Sequence, residues 1–357
     1  MKKPSAIAIA IASLAAGLTV PPAFAQSSVT LYGIMDVGLA RVDNKSGLGS
    51  TEVRSGNLYT SRFGFRGTED LGGGLKTNFQ IEAGLSADTG AGSTPLFNRQ
   101  SWVGLSSDDL GEARLGRMLP IISDLFVASL QASYFGNASA AIDGAATGPG
   151  SSAARFNNML GGTRVDNAIK YQTPSMSGFK IHAMAALGEV AGSSTAGRIL
   201  SLGGSYSNTS IDAGLVYHER QCAEVGRCAA GKETDKIVGL GGAYKLNGAR
   251  YAALYTREKN ALNVQGNDAD VLSLLARVPF GQWVVQGGFQ FLNDKTALNQ
   301  DIRQLNLGLN YLLSKRTQLY GLYSHQTVKN GGKAGMFSST SSQNTQNQFS
   351  TGIAHAF

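Results

Sequence analysis

Arginine side chains recur at alternating positions in segments that have the residue pattern of β-strands. In residues 61–67, Phe63 and Phe65 share one face, which places Arg62 and Arg66 on the opposite, polar face. A guanidinium group stays ionised at neutral pH and offers several N–H donors. Arginines gathered on one polar face therefore indicate a surface that attracts anions.

Two further segments bring charged residues to a polar face. In residues 98–105, an outward Trp102 would place Arg99 on that face. In residues 164–171, the apolar positions leave three charged residues on the polar side, namely Arg164, Asp166 and Lys170. Three separate segments thus contribute arginines, and the alternative is that these arginines are solvated or anchor a loop.

The sequence does not favour catalysis or metal binding. No phosphate-binding loop or nucleophile motif is present, and the histidines lack metal-ligand spacing; they are His182, His218, His325 and His355. The two cysteines, Cys222 and Cys228, lie six residues apart between strand-like segments, and a disulfide is favoured over a metal site. We predict no enzyme activity, no cofactor and no metal.

The segments that carry these residues alternate apolar and polar side chains, as strands do. In Lys76–Leu85, Phe79 and Ile81 lie on one face, and Gln80 and Glu82 lie on the other. A soluble sandwich would pack its apolar faces together, whereas a barrel in a membrane would turn them toward lipid and its polar faces toward a lumen. Alternation alone does not separate these folds.

The connections favour the membrane barrel. Short turns, such as Asn247-Gly248 and Ser314-Lys315, alternate along the chain with longer polar intervals, such as Gln221–Thr234 and Lys329–Thr345. Short turns at one rim and long loops at the other are typical of outer-membrane barrels. The pattern predicts an all-β fold, an antiparallel transmembrane β-barrel of sixteen strands that encloses an aqueous channel.

One long interval, about 118–163, interrupts the strand pattern. It contains Pro120, Asp124 and the small-residue tract Gly144–Ala154. A structureless interval of this length within a regular domain is usually functional. We predict that it folds into the barrel and narrows the pore.

The chain begins with the pattern of a secretory signal peptide: Lys2 and Lys3, an apolar run, and Ala23-Phe24-Ala25. We therefore predict a signal peptide at 1–25 and a single barrel domain at 26–357. Without Lys2 and Lys3, 29 basic residues face 24 acidic ones, a net charge of about +5. No basic cluster indicates nucleic-acid binding, so the mild excess favours anionic solutes or lipid.

Several motifs along the mature chain resemble those of one protein family. They are the start Val29–Gly33, the stretch Ser61–Gly74, Asn98–Leu105, Leu115–Arg117, Arg164–Asn167, Ser314–Thr317 and the terminal strand Gly352–Phe357, which ends on an aromatic residue. On these residues the chain resembles the trimeric general porins of Gram-negative bacteria, of the type found in Neisseria and Burkholderia relatives. The resemblance implies a homotrimer in the outer membrane, in contact with lipid and lipopolysaccharide.

The resemblance also implies roles for individual residues. Arg62, Arg99 and Arg164 stand where similar porins carry a basic ladder along the wall, and Glu82 and Asp124 match acidic partners across the constriction. Arg66, Asp166 and Lys170 are secondary pore-lining candidates. The long interval lacks the Asp-Pro-Phe-Gly ending of similar porins, so Asp143 is an alternative acid.

These features predict passive diffusion of small hydrophilic solutes and inorganic ions, with a weak preference for anions. A substrate-selective channel is the alternative within transport, but it would need an aromatic slide, for which Phe126, Tyr134 and Phe156 are few. A barrel that acts as a surface adhesin or antigen is the alternative from another class. Long loops suit it, but no passenger domain is present in the sequence.

Overall fold

Sixteen strands form a closed antiparallel barrel in the computed structural model. They are β1 Ser28–Lys45, β2 Arg62–Gly72, β3 Leu75–Ser86, β4 Gln100–Ser107, β5 Gly111–Met118, β6 Val165–Gln172, β7 Phe179–Ala186, β8 Ile199–Ser207, β9 Ile211–Arg220, β10 Asp235–Leu246, β11 Ala249–Lys259, β12 Ala269–Phe280, β13 Trp283–Asp294, β14 Ile302–Leu312, β15 Thr317–Val328 and β16 Thr345–Ala356. The structure describes residues 28–129, 150–158, 160, 163–224, 228–337 and 339–357. The predicted signal peptide, Tyr134 and Asp143 lie outside these residues.

The barrel closes between its first and last strands. Residues Ile34–Val42 of β1 pair with Gln348–Ala356 of β16, and β16 also pairs with β15 along its length. The other edge of β1 pairs with β2. Every strand of the ring thus has two partners, which is the condition for a sheet to exist in lipid. The predicted all-β, sixteen-stranded fold is confirmed.

Two additional short strands, Leu48–Ser55 and Ala91–Gly92, extend single hairpins from β1 and β3. Between Ser55 and Arg62 the chain leaves the wall, and the carboxylate of Asp36 holds this excursion. Asp36 accepts hydrogen bonds from the backbone N–H groups of Leu58 and Tyr59, at 2.8 and 2.5 Å, and from the hydroxyl group of Tyr320 at 2.6 Å. Three donors satisfy a carboxylate that is completely buried.

Exposure alternates along the strands, as the sequence predicts. In β9, Leu215 is 55% exposed while the next residue, Val216, is 1% exposed. Apolar side chains such as Leu240, Leu274 and Leu307 cover the outer face, where lipid would solvate them.

The inner face of β13–β16 is polar and rich in amides. Gln326 donates to Gln304 at 2.8 Å, and Ser324 donates to Asn306 at 2.8 Å. These lateral hydrogen bonds link side chains that face away from lipid.

The two rims of the barrel differ in the way the sequence predicts. One rim carries short turns, such as that between β10 and β11, where Asn247 and Gly248 have φ angles of 49° and 79°. Positive φ at both positions matches a type I′ hairpin turn, which Asn-Gly favours. The other rim carries the long connections, including 119–164, 221–234 and 329–344. We call these the short-turn rim and the long-loop rim.

Apolar cores lie between the long connection 119–164 and the inner wall. Its first part contains a short π-helix, Ser123–Ser129, and its last part contains a 3-10 turn, Ser152–Arg155. Ile121, Leu125 and Phe126 belong to one buried cluster, while Ala153 and Phe156 belong to another. Within the part of the chain that the structure describes, no helix is both long and apolar enough to cross a bilayer.

Candidate pore constriction

Glu82 is the centre of a charged cluster on the inner wall. It lies on β3, where alternation turns it toward the lumen, and its side chain is 8% exposed. The hydroxyl group of Tyr32 donates to Oε2 at 3.0 Å, and Nε of Arg99 donates to Oε1 at 2.6 Å. Both carboxylate oxygens are therefore satisfied by neighbouring strands.

A glycine makes room for this arrangement. Gly64 of β2 lies opposite Glu82 in the strand register, and the ring of Tyr32 lies against it. A Cβ atom at this position would lie 2.7 Å from the Tyr32 hydroxyl oxygen and 2.5 Å from the Ile81 carbonyl oxygen. The absence of a side chain at Gly64 thus allows Tyr32 to reach Glu82.

Arg62 and Arg99 share the single carboxylate of Glu82. Nε of Arg62 is 3.7 Å from Oε2, and a terminal nitrogen of Arg62 also donates to the carbonyl oxygen of Thr60 at 3.1 Å. The two arginine side chains are only 25% and 16% exposed. Mostly buried guanidinium groups with hydrogen-bond partners hold a defined position, unlike long surface cations.

Arg164 extends the cluster from the end of the long connection. Its Nε donates to the carbonyl oxygen of Arg99 at 3.2 Å. A guanidinium group stays charged even when it is partly buried. Among the described residues, these three guanidinium groups lie near one carboxylate, that of Glu82, so the described part of this wall carries more positive than negative charge.

Asp124 forms an ion pair with a lysine of the inner wall. This is Lys170 of β6, whose Nζ lies 2.5 Å from Oδ2 of Asp124 and 2.9 Å from the carbonyl oxygen of Leu119. Lys170 faces inward, as its strand position predicts, and is 7% exposed. The pair therefore ties the start of the long connection to the wall.

Glycines on the inner wall receive the apolar side chains of the same segment. A Cβ atom at Gly239 would lie 2.3 Å from the ring of Phe126, and one at Gly203 would lie 2.8 Å from Ile121. Sequence reasoning missed this docking surface. The sequence contained two signs of it. Strands β8 and β10 carry glycines at inward-facing positions, and the long interval, which we predicted to narrow a polar pore, contains the adjacent apolar residues Leu125 and Phe126.

The last part of the long connection is attached near the long-loop rim. The N–H group of Asn157 donates to Glu258 at 2.9 Å, and Arg155 pairs with Asp294 at 2.7 Å. The side chain of Asn158 donates to the carbonyl oxygen of Ala269 at 3.1 Å. Both described ends of the connection therefore contact inward-facing groups.

The expectation that Asp166 faces inward is wrong. Asn167 has a φ angle of 53°, and the pairing of β5 with β6 shifts register between Gly116 and Met118. This irregularity reverses the alternation, because one extra residue turns each preceding side chain to the other face. The Asp166 side chain is consequently 61% exposed on the outer face, where it pairs with Arg117.

The premise that Trp102 faces outward is also wrong. Val103 and Leu105 are 55% and 49% exposed, so they form the outer face of β4. Trp102 points inward, where its Nε1 donates to Gln100 at 3.1 Å and the guanidinium carbon of Arg114 lies 4.4 Å from its ring centroid. Arg99 nevertheless reaches Glu82 because it precedes β4 and is not bound by the alternation of that strand.

Comparison with known proteins decides the family of this barrel. Residues 8–331 match the model of the Gram-negative porin family. The chain belongs to the Gram-negative porins. Outer membrane porin protein 32 of Delftia acidovorans is 34% identical over 98% of this chain and 99% of its own. The major outer membrane protein P.IB of Neisseria meningitidis serogroup B is 36% identical over 35% of this chain and 36% of its own.

A solved structure of the same family superposes on nearly the whole porin. The anion-selective porin from Comamonas acidovorans has a TM-score of 0.75 and 28% identity, and the match covers 93% of this chain and 100% of that one. The resemblance to general porins of the Neisseria type is thus confirmed, and this chain is an outer-membrane protein. Its short-turn rim is the periplasmic one, and its long-loop rim is extracellular.

Two remaining predicted sites of the porin lie away from the cluster. Cys222 and Cys228 form a disulfide in the extracellular connection between β9 and β10, with Cα atoms 5.5 Å apart. Arg66 faces the lumen on the periplasmic side of Arg62, with its guanidinium carbon 5.3 Å from the ring centroid of Tyr32. Among the described residues, no three His, Cys, Asp or Glu side chains gather as a metal site.

Proposed function

We propose that this porin is a passive, non-enzymatic channel that admits small hydrophilic solutes and ions and passes anions more readily than cations. The observation that carries the proposal is the cluster of Arg62, Arg99 and Arg164 around the carboxylate of Glu82. The excess positive charge attracts anions into the lumen. Charged side chains lining a narrow aqueous section set ion selectivity in channels of this kind.

The fixed geometry of the cluster supports this role. Guanidinium groups present planar N–H donors that suit oxyanions, and they stay charged when partly desolvated. Because Glu82 is shared by two arginines, each of them keeps N–H donors that this carboxylate does not use. A relative with 28% identity is described as anion-selective, which agrees with the sign of the charge excess.

The long connection 119–164 is proposed to narrow the pore opposite the arginines. Its attachment at Lys170 and at the glycines of β8–β10 supports a fixed rather than a freely moving constriction. This arrangement would produce a transverse field, with cations on the β2–β4 wall and the loop on the other side. Solutes with strong dipoles would orient in such a field, whereas apolar solutes would be disfavoured.

The functional unit is proposed to be a homotrimer surrounded by outer-membrane lipid and lipopolysaccharide. A charged pair on the outer face, Arg117 and Asp166, supports a protein contact there, since ionised groups facing lipid are unfavourable. Cross-linking and mass measurement in mild detergent would test the assembly. A monomer of unchanged conductance would contradict the trimer without affecting the proposed channel.

The decisive experiment is reconstitution in a planar bilayer. We expect ohmic single-channel steps without any added ligand and, under a potassium chloride gradient, a zero-current potential of the sign that indicates chloride preference. Cation preference would contradict the proposed selectivity. Small steps that a specific solute blocks would indicate a substrate-selective channel, and the absence of steps would indicate a surface adhesin.

A further inference from the structure

A second polar hollow lies on the inner wall, between the arginine cluster and the periplasmic rim. Its volume is about 430 Å³. It is bounded by inward-facing residues of β1–β5, among them Arg66, Asn78, Gln80, Trp102, Glu112 and Arg114. Glu112 follows the short turn between β4 and β5, and Thr68 lies close to the turn after β2. The hollow is therefore below the level of Glu82.

Two arginines lie over the faces of aromatic rings in this hollow. The guanidinium carbon of Arg114 lies 4.4 Å from the ring centroid of Trp102, and that of Arg66 lies 5.3 Å from that of Tyr32. Stacking on an aromatic face restrains a guanidinium group while leaving its edge donors available. The two cations are thus held in position along the wall.

The two arginines differ in how their charge is balanced. Arg114 is neutralised by Glu112, to which it donates two hydrogen bonds of 2.8 and 2.6 Å. Within the ranges that the structure describes, no carboxylate pairs with Arg66, whose side chain is exposed to the lumen. Arg66 therefore carries the uncompensated charge of this hollow.

The remaining lining offers neutral hydrogen-bonding groups. Gln80 donates to the Tyr32 hydroxyl oxygen at 2.6 Å, and Asn78 donates to Ser106 at 2.8 Å and accepts from Thr68 at 2.9 Å. These contacts fix the orientation of the amide and hydroxyl groups around the cation. An uncompensated guanidinium group surrounded by oriented hydroxyl and amide groups suits a small oxyanion.

We propose that this hollow is a second anion site, in which Arg66 binds small oxyanions, either carboxylates or inorganic phosphate. The inference rests on the proposed anion passage and adds a stage to it. An anion that leaves the arginine cluster toward the periplasm meets Arg66 next, so passage proceeds between two separate positively charged positions on one wall. Two sites of moderate affinity favour conduction because an ion can enter each of them and leave it.

The test is the block of chloride current by sodium phosphate and by sodium acetate, added separately to both sides of a bilayer that contains the porin. We expect saturable block of the wild type. Arg66→Gln should raise the half-saturating concentration about tenfold, since it removes a charge-assisted contact. An effect on phosphate alone would identify a phosphate site, and an effect on both would identify a general oxyanion site.

Lys76→Gln is the matched control, because it removes the same charge from the periplasmic end of β3 but lies outside the hollow. It should change the half-saturating concentration less than about twofold. Arg66→Lys keeps the charge without the planar donors, so it should give an intermediate value, and it replaces Arg66→Gln if that variant does not assemble.

The outcomes separate this site from the proposed function. Unsaturable block in the wild type, or equal half-saturation in the wild type and Arg66→Gln, would overturn the second site while leaving anion preference intact. Equal effects of Lys76→Gln and Arg66→Gln would overturn it as well, because they would indicate only a general surface potential. A wild type that prefers cations would instead overturn the proposed function itself.

Discussion

Glu82 determines how much of the positive charge of the arginine cluster is balanced. Its carboxylate accepts hydrogen bonds from Arg99 and Tyr32 and lies within ion-pair distance of Arg62. It therefore has two effects: it holds the arginines in place, and it cancels part of their charge. Substitution of the arginines and substitution of the acid should consequently shift selectivity in opposite directions.

Replacement of Arg62, Arg99 and Arg164 together by serine should shift permeability toward cations. At roughly 8 Å in water, each unit charge contributes about 0.5 kcal/mol to the energy of an ion. Loss of three charges removes about 1.5 kcal/mol of attraction for an anion and about the same repulsion of a cation, so it should lower the anion-to-cation permeability ratio about a hundredfold in dilute salt. The zero-current potential measures this ratio, and the effect should fall in concentrated salt, since the Debye length is about 30 Å at 0.01 M and about 3 Å at 1 M.

An unchanged potential in the triple variant would mean that the arginines have only a structural role. Selectivity would then reside in other lumen cations, such as Lys170 or Lys180. Lys76→Ser serves as a control, since it lies on the same wall but outside the cluster.

Glu82→Gln should raise the anion-to-cation permeability ratio about fivefold, because removal of one negative charge lowers the energy of an anion by about 0.5 kcal/mol and raises that of a cation by about the same amount. The amide is nearly isosteric, and it can still accept a hydrogen bond from Arg99. The zero-current potential under a salt gradient again provides the measurement. A shift toward cations would show that the loss of arginine positioning outweighs the loss of the negative charge.

At the level of elements, the two described parts of the long connection contact the barrel wall differently. Apolar side chains of the first part pack against glycines, and polar groups of the last part form hydrogen bonds and an ion pair. Phe126 and Ile121 pack where the inner wall carries glycine, whereas Asn157 and Arg155 bind carboxylates near the extracellular rim. Strands remote from the arginines thus take part in the attachment of the long connection.

Gly239→Ala should loosen the packing of Phe126, because the added Cβ would lie 2.3 Å from its ring. Overpacking of this kind typically costs about 1–3 kcal/mol. We expect larger fluctuations of the single-channel current, recorded at constant voltage, as the segment shifts. Gly242→Ala is the matched control on the same strand, since its added Cβ would meet only the Asp212 carbonyl oxygen, at 3.6 Å. Equal current noise in both variants would contradict the docking role of Gly239.

For the whole molecule, closure of the ring is the condition for membrane assembly. Strand β16 pairs with β1 and β15. Removal of Phe349–Phe357 would leave both neighbours with unpaired backbone groups in lipid, each of which costs several kcal/mol. Such a chain should fail to insert or conduct, as judged by heat-modifiable migration on gels and by bilayer recording.

A matched deletion of residues 191–194, in the extracellular connection between β7 and β8, should leave insertion intact, because it removes no strand pairing. Conductance by the chain without Phe349–Phe357 would contradict the closure argument.

The sequence alone determined the sixteen-stranded barrel and its polar lumen. Apolar and polar residues alternate along a strand with a period of two. The two faces of a strand therefore follow from the types of adjacent residues, such as Arg62 and Phe63. Turn chemistry is equally local, as Asn247 and Gly248 show. These features depend on residues near one another in the chain, so they need no tertiary information.

Only the tertiary structure decided where the charges meet. The register irregularity at Asn167 turned Asp166 outward, and the loop brought Asp124 to Lys170. The inward orientation of Trp102 likewise follows from the pairing of β4. A register shift of one residue moves the preceding side chains of the strand to the opposite face of the sheet. A loop contact joins residues that are far apart in the chain, so the alternation of residue types cannot predict it. The physical reason is that side-chain direction within a strand is a local property, whereas register and loop docking depend on packing between distant parts of the chain.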